Sequence, residues 1–287
     1  MSVRINPVWL VMASIASVQV GAAFAKSIFG EVTPVGMAWL RLTAAGLILV
    51  ATRPSFRGLT RRDWTMGLAL AASLVGMNWA IYESFARIPL GLAVTIEFLG
   101  PLGVAVAGSR RTRDLVWVVL AGAGVAILGF GPATHDLVGI GYALLAAACW
   151  AGYIVFGARL SPTWRGTSAV ALACWLGMAV LAVPAIVTSG LALVRPHVLG
   201  IAVAIGLLSS VIPYTLELRA LKTIPPKVFG ILMALEPVAA AMAGLVVLRE
   251  TLGLPDWVAI ACVVVASIGA VRSSASSGRE DEFPSAG

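Results

Sequence analysis

The 287-residue chain is 60% hydrophobic and 11% charged, with 20 Lys and Arg against 13 Asp and Glu for a formal charge of +7. Soluble domains run at roughly 45–50% apolar and about 25% charged residues, so this chain has too few charges to cover a water-facing surface. That excludes a soluble enzyme or binding module, and lipid is the expected solvent. The basic residues sit in short clusters between apolar runs rather than on one face, which excludes nucleic-acid binding as the meaning of the positive charge.

In chain order, the apolar runs predict helices over 8–26, 33–52, 64–85, 90–107 and 115–130, then 136–157, 168–189, 198–218, 227–248 and 256–271. Each approaches the ~20 residues that cross a ~30 Å hydrocarbon core as helix. The runs are continuously apolar, without the alternation of a barrel strand. The first carries Gln19 and Lys26, seven apart and so on one face; the second carries Arg41. The third carries Asn78, Tyr82 and Glu83, the fourth Glu97 and Pro101. The sixth carries Trp150 and Tyr153, the eighth Tyr214 and Glu217, the ninth Glu236 and Pro237. Cys149, Cys174 and Cys262 each fall inside an apolar run, with no disulfide framework and no metal-ligand spacing. Arg4, the apolar stretch 8–20 and Ala23-Phe24-Ala25 imitate a cleavable signal peptide. Cleavage would leave nine spans and break the repeat described below. The polar stretch 273–287 reads as a disordered tail.

Ten spans return both termini to one side. The loops and ends on that side carry Arg4, Arg53, Arg57, Arg61, Arg62, Arg110, Arg111, Arg113, Arg159, Arg165, Arg219, Lys222, Lys227, Arg272 and Arg279. The opposite set carries Arg87, Arg195 and Arg249. The positive-inside rule then places both termini in the cytoplasm.

The chain also repeats itself. Ile88-Pro89 followed by Pro101 recurs as Ile224-Pro225 followed by Pro237, and Trp117 with Gly129 recurs as Trp257 with Gly269. The second pair is spaced four residues farther, which a longer loop around 249–255 explains. The expected architecture is an all-α membrane protein of ten transmembrane helices in two five-helix repeats, 1–134 and 135–272, meeting near His135. Five is odd, so the second repeat enters the membrane from the opposite face. Inverted repeats of this kind place a substrate near the midplane in many secondary transporters. The alternative is gene duplication in a protein without a transport role, but alternating access uses inverted symmetry directly.

Several stretches resemble a family: Gln19-Val20-Gly21-Ala22, Gly76-Met77-Asn78, Ile88-Pro89-Leu90-Gly91, Glu97-Phe98-Leu99-Gly100-Pro101, Pro213-Tyr214-Thr215-Leu216-Glu217 and Met233-Ala234-Leu235-Glu236-Pro237. Together they resemble paired EamA domains of the drug/metabolite transporter superfamily over 8–271. Within it they are most similar to bacterial inner-membrane exporters of threonine and homoserine. Glu83 departs from that pattern, where an uncharged residue is expected. The resemblance implies a multi-pass inner-membrane protein that exports small amino acids, working as a monomer or homodimer without cofactor or metal.

Ionisable groups inside a bilayer cost at least ~2.5 kcal/mol on insertion scales, which makes each a functional candidate. At ~1.5 Å per residue, Glu97, Glu236 and Arg41 lie roughly 10–14 Å from the nearer membrane edge. Glu97 and Glu236 stand beside prolines that free a backbone carbonyl, a setting for a proton, a cation or a substrate ammonium. An ion pair with Arg41 or Lys26 is the structural alternative for each. Lys26 suits either anchoring at the interface or a substrate carboxylate, and Arg41 either a carboxylate or a pair with Glu97 or Glu83. Gln19, Asn78, Tyr82, Trp150, Tyr153 and Tyr214 are the expected substrate-binding set. Aromatic bulk beside hydrogen-bonding groups is what a small-molecule pocket needs, although helix packing would use the same aromatics. Glu83 has Arg87 four residues on as a partner, and Glu217 has Arg219 nearby.

No P-loop, zinc-type His-Glu-x-x-His or Gly-x-Ser-x-Gly element occurs, which leaves an ion gradient or exchange as the energy source. The expectation is a proton-coupled antiporter whose partners are lipid, a small solute and protons. The alternatives are another cargo (a nucleoside, an amine or a drug) and, from other classes, an intramembrane enzyme or a channel.

Overall fold

The computed structural model describes residues 6–108, 114–130, 136–160, 164 and 167–280. Arg4, Arg110, Arg111, Arg113, His135 and Arg165 lie outside the described residues, as do the side chains of Tyr214, Lys227 and Arg279. Every regular element among the described residues is helical: α1 (Pro7–Ser27), α2 (Pro34–Val50), α3 (Arg61–Phe85), α4 (Leu90–Glu97), α5 (Leu99–Ala107), α6 (Leu115–Phe130), α7 (Leu137–Ala158), α8 (Ser168–Ser189), α9 (Pro196–Gly206), α10 (Ile212–Leu221), α11 (Pro226–Met233), α12 (Glu236–Ala243) and α13 (Leu254–Glu280). Seven stretches are long and apolar enough to cross a membrane, and Pro34–Val50, Leu115–Leu128 and Pro196–Ser209 are shorter apolar helices. Length alone therefore reaches seven of the ten expected spans.

The helix starts follow local chemistry. Asn6 caps α1 by accepting from the Val8 N–H, and Pro7 takes the first helical position, where its missing donor costs nothing. Thr33 and Pro34 repeat that arrangement on α2. Thr60 and Asp63 form a reciprocal capping box on α3. Asp136 caps α7 through the Val138 N–H at 2.8 Å. At the other extreme, α13 continues to Glu280, past the expected end at Val271 and into the segment read as a polar tail.

The prolines break two of the expected spans. Pro101 has no N–H to offer the carbonyl of Glu97, and the helix is interrupted at Phe98, between α4 and α5. In the later span the helix stops at Met233, turns through 234–235 and restarts at Glu236 with Pro237 in its first turn. The eighth expected span holds a π-helical turn at Leu207–Val211 between α9 and α10. A second π turn, Gly244–Leu248, follows α12 and ends at Arg249, which adopts a left-handed conformation (φ 58°). That conformation is unusual for a side chain larger than glycine. It turns the chain so that the Glu250 N–H bonds back to the Gly244 carbonyl at 3.1 Å.

The packing is selective. α3 lies along α7, and α1 along α10 and the π turn before it; α2 pairs with α8, α4 with α12 and α6 with α13. Indoles tie the α2–α8 contact in both directions: Trp39 Nε1 donates to the Met178 carbonyl at 2.8 Å and Trp175 Nε1 to the Gly46 carbonyl at 3.2 Å. Where α4 meets α12, a Cβ on Gly91 would stand 2.7 Å from the Cα of Ala241. Only a residue without a side chain allows that approach, as is common between membrane helices.

Candidate functional site

The two interrupted helices bring their carboxyls to the middle of the bundle. Glu97 is the last residue of α4 and Glu236 the first of α12, and these helices pack on each other. Glu97 is 9% exposed and Glu236 8%. Their charges are near enough to interact, and Glu236 is also within electrostatic reach of Glu217. No hydrogen bond or ion pair reaches either carboxyl among the described residues. Buried carboxyls without partners are costly, so the arrangement suits groups that hold a proton, a cation or an ammonium.

Arg41 lies within electrostatic reach of Glu97 without an ion pair, and its guanidinium stands 5.9 Å from the centre of the Tyr82 ring. Tyr82 is fully buried and Gln19 is buried, and among the described residues neither the Tyr82 hydroxyl nor Gln19 Oε1 has a hydrogen-bond partner. Asn78 is buried as well, but its Nδ2 donates to the Leu74 carbonyl of its own helix at 2.9 Å. Glu217 on α10 accepts from the Ser14 hydroxyl at 2.6 Å, rather than pairing with Arg219. Glu83 pairs with Arg87 at 2.8 Å, one turn on, which removes it as a partner for Arg41.

At the end of the bundle where α1 finishes, Lys26 pairs with neither central glutamate. Its Nζ stands 2.5 Å from Glu250 Oε1 and donates to the Ile88 carbonyl at 2.8 Å. The other oxygen of Glu250 accepts from the Leu90 N–H at 2.8 Å. One carboxylate therefore joins the end of α1, the start of α4 and the loop after α12. Gly244 makes room for it, because a Cβ there would lie 2.6 Å from Glu250 Oε2. Sequence reasoning missed Glu250. The signal was present: the repeat is four residues longer at this loop, and a cation at the end of the first span needs an acid at the same height.

At the opposite end, a cavity of about 270 Å³ opens between α5, α7, α11 and α13. Its walls include Phe98, Pro101, Trp150, Phe229, Met233 and Ser267. Trp150 meets Phe98 edge-on, with ring centres 5.5 Å apart. Tyr153, one turn along α7, packs against the main core and is not among the lining residues. Of the expected binding set, Trp150 thus faces this cavity, while Gln19, Asn78 and Tyr82 are enclosed deeper among the helices.

An all-helical bundle with membrane-spanning helices, buried central carboxyls, one tied end and one hollow end has the makings of a membrane transporter. The chain belongs to the EamA-like transporter family, whose description matches residues 137–272. It is similar to the threonine/homoserine exporter RhtA of Escherichia coli strain K12, 38% identical over 276 residues, covering 93% of each chain. The exporter of the same name from Salmonella typhimurium strain LT2 is likewise 38% identical over 93% of each chain. An uncharacterized transporter of Bacillus subtilis strain 168, YwfM, is 26% identical over 81% of this chain and 82% of its own. A solved crystal structure 20% identical in sequence matches the fold with a TM-score of 0.61, over 96% of this chain and 99% of the other.

Proposed function

We propose that this protein is a secondary active exporter of small amino acids of the threonine and homoserine kind, exchanging them for protons across the inner membrane. The observation that carries the reading is the pair of buried carboxyls Glu97 and Glu236 at the interrupted helices, without a partner among the described residues. The similarity to threonine/homoserine exporters supplies the cargo class. A zwitterionic amino acid brings an ammonium for Glu97 or Glu236 and a carboxylate for Arg41, Asn78 or a tyrosine hydroxyl. A proton taking the place of the ammonium on the return step would give strict exchange.

Ten spans in two inverted five-helix repeats are the architecture on which this rests. The packing supports it, because exchanging each span for its partner five places along maps the principal helix pairs onto one another. α2 with α8, α6 with α13 and the α4 region with the α12 region map onto themselves, and α3 with α7 maps onto α10 with α1. Trp39 and Trp175 stand in equivalent positions and donate across the same contact. With both termini cytoplasmic, as the Lys/Arg asymmetry favours, the Lys26–Glu250 tie is the outer closure and the cavity at Trp150 opens inward.

Counterflow in proteoliposomes tests the proposal: labelled threonine should enter vesicles preloaded with unlabelled threonine or homoserine, and saturate. Equal exchange with nucleosides or cationic drugs, and none with amino acids, would move the cargo to another class. Entry without saturation would indicate a channel, and chemical change of the solute an enzyme.

A further inference from the structure

The cavity between α5, α7, α11 and α13 is bounded by carbon on nearly every side, among residues such as Phe98, Leu102, Trp150, Phe229 and Met233. Ser267 is the one hydroxyl-bearing residue among those that line it. It is 4% exposed, and its Oγ has no hydrogen-bond partner among the described residues. A serine inside a membrane helix ordinarily returns its hydroxyl to a carbonyl of the preceding turn, so an unsatisfied one on a residue that lines a cavity is an available donor and acceptor. The lining includes close neighbours in sequence of the central carboxyls: Phe98 follows Glu97 directly, and Met233 ends the helix whose successor starts at Glu236.

We propose that this cavity is the subsite for the substrate's side chain, and that Ser267 is a specificity-determining residue that hydrogen-bonds the substrate hydroxyl. The inference rests on the amino-acid reading above and adds to it a reason for preferring hydroxylated over purely aliphatic side chains. Threonine and homoserine each carry one hydroxyl on a short carbon frame, and the cavity offers carbon walls with one hydroxyl. Apolar walls alone discriminate weakly against an isosteric hydroxyl or methyl, whereas an unpaired buried polar group penalises the analogue that cannot satisfy it. Valine is the comparison, because it replaces the threonine hydroxyl by a methyl group.

Two measurements test the subsite. In threonine counterflow, Ser267→Ala should raise the half-saturating threonine concentration about tenfold, the equivalent of ~1.4 kcal/mol, while valine, no longer set against an unpaired hydroxyl, competes at a lower concentration. Ser267→Thr, which keeps the hydroxyl, should retain the preference. Separately, Ser267→Cys on a background with Cys149, Cys174 and Cys262 replaced by alanine should react with an impermeant thiol reagent from the cytoplasmic face. Threonine should protect it at lower concentration than valine does. An unreactive thiol, a reactive one that threonine leaves unprotected, or a Ser267→Ala variant with unchanged preference would overturn the subsite while leaving export intact. Absence of threonine counterflow in the unmodified protein would instead overturn the export reading, with the thiol of the Ser267→Cys variant still reactive.

Discussion

The two ends of the bundle start from the same sequence step and finish differently. At one, Ile88-Pro89 leads into α4; the Ile88 carbonyl accepts from Lys26, and the next helix presents the Leu90 N–H to Glu250. At the other, Ile224-Pro225 leads into α11, and the turn is satisfied locally: the Ile224 N–H and the Thr223 hydroxyl both bond to the Ala220 carbonyl, at 3.0 and 2.9 Å. Beside it lies the hollow lined by Phe229 and Met233. The backbone device is shared, and the difference comes from two charges on separate halves of the chain. In the proposed exchanger the two ends close alternately, and a closure made from side chains at one end is then expected to set which state the resting protein occupies.

The largest effect is expected where the two ends must communicate. Glu97→Gln or Glu236→Gln should abolish proton-driven threonine transport while leaving insertion and thermal stability near normal, as measured by flux under a pH gradient and by size exclusion after heating. Full gradient-driven flux in both variants would reduce the two residues to structural partners.

Next comes the closure. Both side chains of the Lys26–Glu250 pair are 17% exposed, between a surface pair and a buried one. Removing a partner by Glu250→Gln should therefore loosen that end by about 2 kcal/mol. This corresponds to roughly a thirtyfold rise in the open population. A cysteine placed at Leu90 would report it, reacting faster with an impermeant thiol reagent from outside the cell. Unchanged labelling would mean that helix packing, not the ion pair, holds the end shut.

A smaller effect follows from the crossing of α4 and α12. Gly91→Ala puts a methyl group against the Ala241 backbone and should cost about 1–3 kcal/mol, lowering the melting temperature in detergent. The smallest is Trp39→Phe, which deletes one indole donor at the α2–α8 contact. The loss should be about 0.6–1 kcal/mol, with transport retained.

The apolar runs made much of this fold legible. Spans expected at 115–130 and 168–189 coincide with α6 and α8, because long hydrophobic runs between polar segments leave little choice of boundary. The prolines announced the breaks at Phe98 and at 234–235. The π turn at Leu207–Val211 has a comparable signal in Pro213, which has no N–H for the Ser209 carbonyl; the one at Gly244–Leu248 has none, since it continues an apolar run and no proline follows within four residues. Ion-pair partners were the hardest to read. Glu83 found Arg87 as local spacing suggests, but Lys26 found Glu250 and Glu217 found Ser14. Those partners are separated by most of the chain, and helix periodicity says nothing about them. Spacing likewise gave no sign that an amide N–H of Asn78 bonds the Leu74 carbonyl of its own helix.

The most direct test of exchange at a pair of central carboxyls is threonine accumulation in everted membrane vesicles after the interior is made acidic. Labelled threonine should rise above its outside concentration, collapse on addition of a protonophore, and fail to rise in the Glu97→Gln and Glu236→Gln variants. Threonine that only equilibrates, or that accumulates equally with the proton gradient abolished, would contradict the account.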